Sequence, residues 1–264
     1  MLNFTQEQNQ LQVQEGQLGI AWTGQAGFAL MDSDNIIYHI DPYLSNACSK
    51  TIGYHRIIPA PSEAKNTKAD FILFTHEHKD HLDPDSVPLI SQFNPSSKLV
   101  GPSSCIKILR DMNISSTRLI KLDRGEGIQL GNLQLQAVMA IHTNDSIGYV
   151  IDLNGIKFYI TGDTTYSDDL IGVTDWELDM MMVCINGRLG CMNIPDAARL
   201  TAHIQPKYAI PMHFGMFKEN TANPKEFIRQ VEAYSGIVKG YIMKHGHWYL
   251  FDKNDGFIAR NDNL

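Results

Sequence analysis

The sequence of 264 residues predicts an α/β fold in which two mixed β-sheets pack together and are faced by helices. Strand-like runs follow one another closely near the start, at 18–23, 27–31 and 36–40, with too few residues between them for helices. From residue 71 onward such runs alternate with helical patterns, as sheets covered on one face require. A hydrophobic content of 43% is enough to bury a core of that size. No Ser-, Gly- or Pro-rich linker divides the chain, so one domain over residues 1–264 is expected, with 1–17 as a polar, Gln-rich N-terminal extension.

The remaining elements follow in order. Residues 71–75 (Phe-Ile-Leu-Phe-Thr) are a short apolar run of β-favouring residues and read as a buried strand. Helices are expected at 83–93 and at 102–112, where Ile106, Leu109 and Met112 recur at helical spacing. Strands are expected at 98–100, 118–121, 133–140, 148–153, 157–161 and 180–185. The segment 195–204 sets Ala197, Ala198 and Ile204 on one side and reads as a helix, followed by a strand at 208–211. Asn223-Pro224-Lys225-Glu226 is a capped helix start, and the helix runs through Tyr234. Strands at 240–243 and 248–251 close the pattern.

Chemistry concentrates where the 71–75 strand ends. His76-Glu77-His78-Lys79-Asp80-His81 puts three imidazoles and Asp80 into six residues, a density that packing alone does not call for. Side chains alternate in extended chain, so His76 and His78 point the same way and can share one ion; as the chain turns, Asp80 and His81 can face a second. Imidazole with carboxylate suits zinc first, with manganese or iron as alternatives.

His-x-His-x-Asp-His after a strand resembles the signature of the metallo-β-lactamase superfamily of dinuclear hydrolases. Four further stretches resemble the family's other motifs in order. Residues 36–44 resemble its strand ending in Asp-Pro, whose carboxylate, here Asp41, would support the metal site without ligating it. Ala140-Ile141-His142 resembles the segment supplying a third imidazole to the first ion. The stretch 158–164 resembles the strand ending in Gly-Asp whose carboxylate, here Asp163, bridges both ions, and 208–215 the strand whose terminal His213 completes the second site.

The resemblance thus implies an αββα sandwich and two divalent ions. His76, His78 and His142 would hold one, Asp80, His81 and His213 the other, and Asp163 would lie between. Two such ions bring the pKa of a shared water towards about 7 and make hydroxide available as a nucleophile, which Asp80 would orient.

Trp22-Thr23-Gly24-Gln25-Ala26-Gly27-Phe28, the Asp41-Pro42-Tyr43-Leu44 stretch and Asn186-Gly187-Arg188-Leu189-Gly190-Cys191-Met192-Asn193 are similar to the branch that includes L-ascorbate-6-phosphate lactonase. Gln25 departs from the His that many relatives carry there. The implied reaction is hydrolysis of a lactone or related ester, including one of a phosphorylated sugar acid; the alternatives are a phosphodiester hydrolase and a metal-binding protein without turnover. Arg188 is the candidate for an anionic group of the substrate, with Asn186 and Tyr166 as its companions.

Composition narrows the partners. The net charge of −7, with 22 Lys and Arg spread thinly, offers no basic stripe for nucleic acid. The start has no secretory pattern and no run of about eighteen apolar residues occurs, so a cytoplasmic location and no membrane association are expected. Cys48, Cys105, Cys184 and Cys191 form no CxxC pair and are expected as free thiols, a Cys184–Cys191 bridge being the alternative. The expected partner is an anionic small molecule, and assembly into a homo-oligomer is left open.

Overall fold

A computed structural model describes residues 2–258. The first sheet is built from β1 (Gln17–Gly24), β2 (Gly27–Met31), β3 (Ile37–Ile40), β4 (Phe71–Leu73), β5 (Lys98–Gly101) and β6 (Leu119–Lys121). The second is built from β7 (Gly127–Leu130), β8 (Leu133–Met139), β9 (Ile147–Leu153), β10 (Ile156–Ile160), β11 (Met180–Cys184), β12 (Tyr208–Met212) and β13 (Lys239–Gly240). The chain then returns to the first sheet as β14 (Trp248–Asp252) and β15 (Gly256–Ile258). The strand orders are β15-β14-β1-β2-β3-β4-β5-β6 and β13-β12-β11-β10-β9-β8-β7. Both sheets are mixed: β3 to β6 are parallel, as are β10 to β13, and the other pairings are antiparallel.

Period-two patterning assigns each face. Leu18, Ile20 and Trp22 of β1 enter the core between the sheets, where they meet Tyr149, Ile151, Phe158 and Ile160 from β9 and β10, while Ala21 points outward. On the outer face of the first sheet, α1 (Phe4–Gln10) sets Phe4 against Trp248, and α3 (Val87–Phe93) and α4 (Ser103–Asp111) cover Ile72, Phe74 and Leu99. The short α2 (Ala47–Ile52) packs its Ala47 and Cys48 near Tyr43 and Phe217. On the far side α5 (Ile194–Ile204) and α6 (Pro224–Tyr234) cover the second sheet with Ala197, Ala198, Phe227 and Val231. This is the αββα sandwich.

Differences from the expected elements have local causes. The helix expected from 83 begins only at Val87, because the Asp83 carboxylate takes the amides of Asp85 and Ser86 at 3.0 and 3.3 Å and forms a turn instead. The strand expected to reach 75 ends at Leu73, and the Thr75 amide donates to Asp41 Oδ1 at 2.8 Å. The 240–243 strand shrinks to Lys239–Gly240 at the sheet edge. Part of the expected polar extension is the capped helix α1, where Asn3 and Gln6 bond reciprocally.

His39 illustrates what burial does to an ionisable group here. It lies on β3 and is 2% exposed, with Nε2 donating to the Lys68 carbonyl at 3.0 Å and Nδ1 without a partner. Burial holds its pKa down at about 4 against an ordinary 6.5, and the bond to Lys68 opposes that only in part. The unfolded chain therefore takes up a proton near pH 6.5 that the folded chain refuses until about pH 4. Stability from this group is complete above pH 6.5 and is lost as pH falls towards 4, by about 3 kcal/mol. In urea unfolding of metal-free protein, His39→Gln is expected to lose about that much less stability across this window than the parent. Equal pH slopes would sink the assignment.

Candidate metal centre

The two sheets bring the ends of their inner strands together. Asp41 follows β3, His76 to His81 follow β4, His142 follows β8, Asp163 follows β10 and His213 follows β12. Carboxyl ends of strands are where such sheets open crevices for ligands. The two sheets are tied directly there: Tyr149 Oη donates to the Phe74 carbonyl at 2.7 Å, and the Ile147 amide donates to Thr75 O at 3.0 Å. Gly162 has φ +59°, and a Cβ there would lie 2.8 Å from the Ile147 carbonyl and 3.0 Å from Thr75 Cβ, so only glycine lets Asp163 approach the histidine loop this closely.

The histidine loop is a tight turn. The His78 carbonyl accepts from the amides of His81 and Leu82 at 3.0 and 2.7 Å, which swings His81 back beneath His76, the two ring centroids being 4.0 Å apart. His142 completes the first cluster: its Nε2 is 3.0 Å from His78 Nδ1, and its Nδ1 donates to the Gly190 carbonyl at 3.2 Å. The second cluster is built on Asp163, whose Oδ2 lies 3.2 Å from His213 Nε2, 3.4 Å from His81 Nε2 and 3.7 Å from His142 Nε2. Asp80 Oδ2 stands 3.5 Å from His213 Nε2 and accepts from Gln25 Nε2 at 2.9 Å.

Three site residues occupy the left-handed backbone region: Gln25 (φ 50°), Asp41 (φ 44°) and His213 (φ 62°). Such strain persists where surroundings over-determine it, commonly at functional sites.

Asp41 acts on this cluster from behind. It is fully buried and accepts from His81 Nδ1 at 2.7 Å, from Thr75 Oγ1 at 2.6 Å and from the Thr75 amide. That bond fixes the His81 proton on Nδ1 and leaves Nε2 facing Asp163.

Charge divides the two clusters. Burial keeps His76 far below its ordinary pKa, helped by the nearby His81, and burial followed by His142 lowers His78, so both offer neutral lone pairs. Burial also opposes charging His81 and His213, but Asp163 and the other carboxylates outweigh it, raising His81 well above its ordinary value and His213 to about 10. Burial pushes Asp163 up while His213 and His81 pull it well below the carboxylate range, and the balance is downward; Asp80 is likewise depressed. Protons on His81 and His213 thus neutralise carboxylates that have no Lys or Arg ion-pair partner among the described residues.

The donor set fits divalent ions. His76 Nε2, His81 Nε2 and Asp163 Oδ1 are buried without a hydrogen-bond partner, His81 Nε2 touching Asp163 at a distance but not with the geometry of a bond. The ligand atoms of His76, His78 and His142 lie within 4.8 Å of one another, as do those of His76, His81 and Asp163 and those of Asp80, His81 and His213. All seven sequence-predicted ligands are therefore brought together. A fourth group within the same distance, His142, Asp163 and Cys191, was not legible in the sequence.

The three candidate substrate residues fare differently. Arg188 is exposed on the loop after β11, and its guanidinium makes no hydrogen bond or ion pair among the described residues. Asn186 is buried and spends its Nδ2 on Asn220 Oδ1 at 2.8 Å and the Arg188 carbonyl at 3.2 Å, which shapes the loop. Tyr166 donates to Asp168 Oδ1 at 2.8 Å beneath the Arg199 guanidinium. Gln25, singled out in the sequence only as a departure, turns out to hold Asp80 in place. The four cysteines are free thiols, and no described helix is long and apolar enough to cross a membrane.

Residues 38–214 match the family described as the beta-lactamase superfamily domain. A metal-dependent hydrolase of Archaeoglobus fulgidus is 28% identical over 248 residues, covering 89% of this chain and 99% of the relative. One from Thermoplasma acidophilum is 30% identical over 237 residues, covering 86% and 94%. Among solved structures, a metallo hydrolase of Ignicoccus hospitalis has a TM-score of 0.72 at 23% identity, covering 89% of this chain and 99% of that one, and shares the fold.

Proposed function

Given that the chain belongs to the β-lactamase superfamily, we propose that it is a metal-dependent hydrolase that opens a lactone or related ester of an anionic small molecule, the reaction implied by the resemblance of residues 22–28, 41–44 and 186–193 to the branch that includes L-ascorbate-6-phosphate lactonase. Two divalent ions would be held by His76, His78 and His142 on one side and Asp80, His81 and His213 on the other, with Asp163 between; zinc is the first candidate for both. The observation that carries the reading is the meeting of these seven side chains, several with buried atoms lacking any hydrogen-bond partner, where the strand ends of the two sheets face each other. Bound there, such ions lower the pKa of a water and draw electron density from a carbonyl or phosphoryl oxygen.

The chain's own groups supply orientation. The neutral imidazoles of His76 and His78 present lone pairs without first losing a proton, whereas His81 and His213 give up theirs as ions enter, so metal uptake releases protons. Asp80, its side chain 18% exposed and steadied by Gln25, is positioned to accept a hydrogen bond from an attacking water and aim it at the substrate. Arg188 would grip a phosphate or carboxylate of the substrate through paired N–H groups, and Asn186 holds its loop in place. The net charge of −7 suits a small molecule better than nucleic acid.

A panel of lactones, thioesters and phosphodiesters, phosphorylated and neutral, tests the reading on metal-loaded protein. Turnover of phosphodiesters alone would replace the lactonase reading. Arg188→Ala is expected to reduce kcat/KM for an anionic lactone by roughly ten- to a hundredfold, the worth of a charge-assisted bond of about 1.5–3 kcal/mol, and to leave a neutral lactone nearly unchanged at equal metal content. Equal losses on both substrates would make Arg188 structural.

A further inference from the structure

We propose that Cys191 is a sulfur ligand to the ion on the His142 side of the centre, an assignment that rests on the metal centre proposed above. Its Sγ, a nitrogen of His142 and an oxygen of Asp163 lie within 4.8 Å of one another, the same closeness that groups His76, His78 and His142. Asp163, 5% exposed, keeps Oδ1 without a hydrogen-bond partner, so one buried lone-pair atom of this group is left for a cation, while the Cys191 thiol lies against Asp163 and Cys184.

The backbone fixes the sulfur where it stands. The Met192 amide donates to Thr164 O at 2.8 Å, directly beside Asp163, and the Cys191 amide donates to Arg188 O at 3.1 Å. The preceding residue helps from the same turn: the Gly190 carbonyl accepts from His142 Nδ1 and leaves His142 Nε2 for the ion, while a Cβ at Gly190, where φ is +82°, would come within 2.9 Å of that Nδ1. One loop therefore carries the proposed anion-binding Arg188, orients His142 and delivers a thiol to the same ion.

As the ion binds, the Sγ proton leaves to solvent and a metal–sulfur bond replaces the S–H bond. A thiolate beside imidazole and carboxylate favours zinc over manganese.

Cys184 provides the control. It is fully buried, its thiol donates to Thr164 O at 3.7 Å and it contacts Cys191, but it joins no group of ligand atoms. X-ray absorption at the zinc edge of protein carrying two zinc ions per chain is expected to show a sulfur shell at about 2.3 Å besides nitrogen and oxygen. Cys191→Ser is expected to lose that shell, to keep the lighter one, and to bind zinc roughly 10- to 100-fold more weakly; Cys184→Ser is expected to keep the shell. Should the Cys191 variant not fold, the parent and Cys184→Ser spectra decide: a sulfur shell present in both assigns it to Cys191, and its absence from the parent or its loss in Cys184→Ser overturns the assignment.

Zinc bound at full occupancy with nitrogen and oxygen neighbours only, or a sulfur shell that survives Cys191→Ser, would overturn the assignment and leave the hydrolase reading intact. Protein that binds no zinc at this centre would overturn both.

Discussion

Asp163→Asn is expected to empty the centre of metal and to lower kcat/KM by about a thousandfold or more. Asp163 Oδ2 is approached by His213, His81 and His142 at 3.2, 3.4 and 3.7 Å, so it sits where charge from both clusters meets. A neutral amide removes the anion that attracts both ions and, in one orientation, turns an N–H toward nitrogens that must donate lone pairs. Electrostatic stabilisation by a bound ion is worth several kcal/mol, and each 1.36 kcal/mol is tenfold in rate, which sets the size of the loss. Elemental analysis of the variant alongside rates at saturating metal checks both halves. A variant that kept two ions and near-normal rates would remove Asp163 from the centre.

Asp41→Ala is expected to cost more stability than any other single change at the site. Its carboxylate is fully buried and holds His81 Nδ1, Thr75 Oγ1 and the Thr75 amide, all buried donors that lose their acceptor once it is gone. Breaking such a buried pair costs about 3–5 kcal/mol, on the order of 10 °C in Tm for a chain this long. Asp41→Asn separates fold from function: the amide can still accept from Thr75, but it frees His81 to carry its proton on Nε2, the atom facing Asp163. Metal affinity should then fall roughly 10- to 100-fold with a smaller loss of Tm. A Tm for Asp41→Ala within about 2 °C of the parent would show that the pair contributes little.

The architecture was legible because the candidate metal-binding segments follow strands with patterns of their own. Phe71–Leu73 and Tyr208–Met212 are apolar runs too continuous to be exposed, Ile156–Ile160 is apolar apart from Lys157, and the sequence follows them with His76, His213 and Asp163. What the sequence hid depends on contacts between distant segments. Nothing local marks Cys191 as a neighbour of Asp163, since residues 191 and 163 meet only when the loop after β11 folds against the turn after β10. Gln25 reaches Asp80 across 55 positions for the same reason. The helix α1 was obscured by its polarity: it buries Phe4 and the Glu7 carboxylate, which accepts from the Trp248 amide at 2.9 Å, so one aromatic and one ion do the docking that an apolar stripe would otherwise announce.

Anomalous diffraction from crystals grown with zinc, recorded at the zinc edge, tests the central claim most directly. The account predicts two peaks about 3.5–4 Å apart, one within bonding distance of His76, His78 and His142, the other of Asp80, His81 and His213, with Asp163 touching both. No peak among these residues, or a single zinc peak bound elsewhere on the chain, would contradict it.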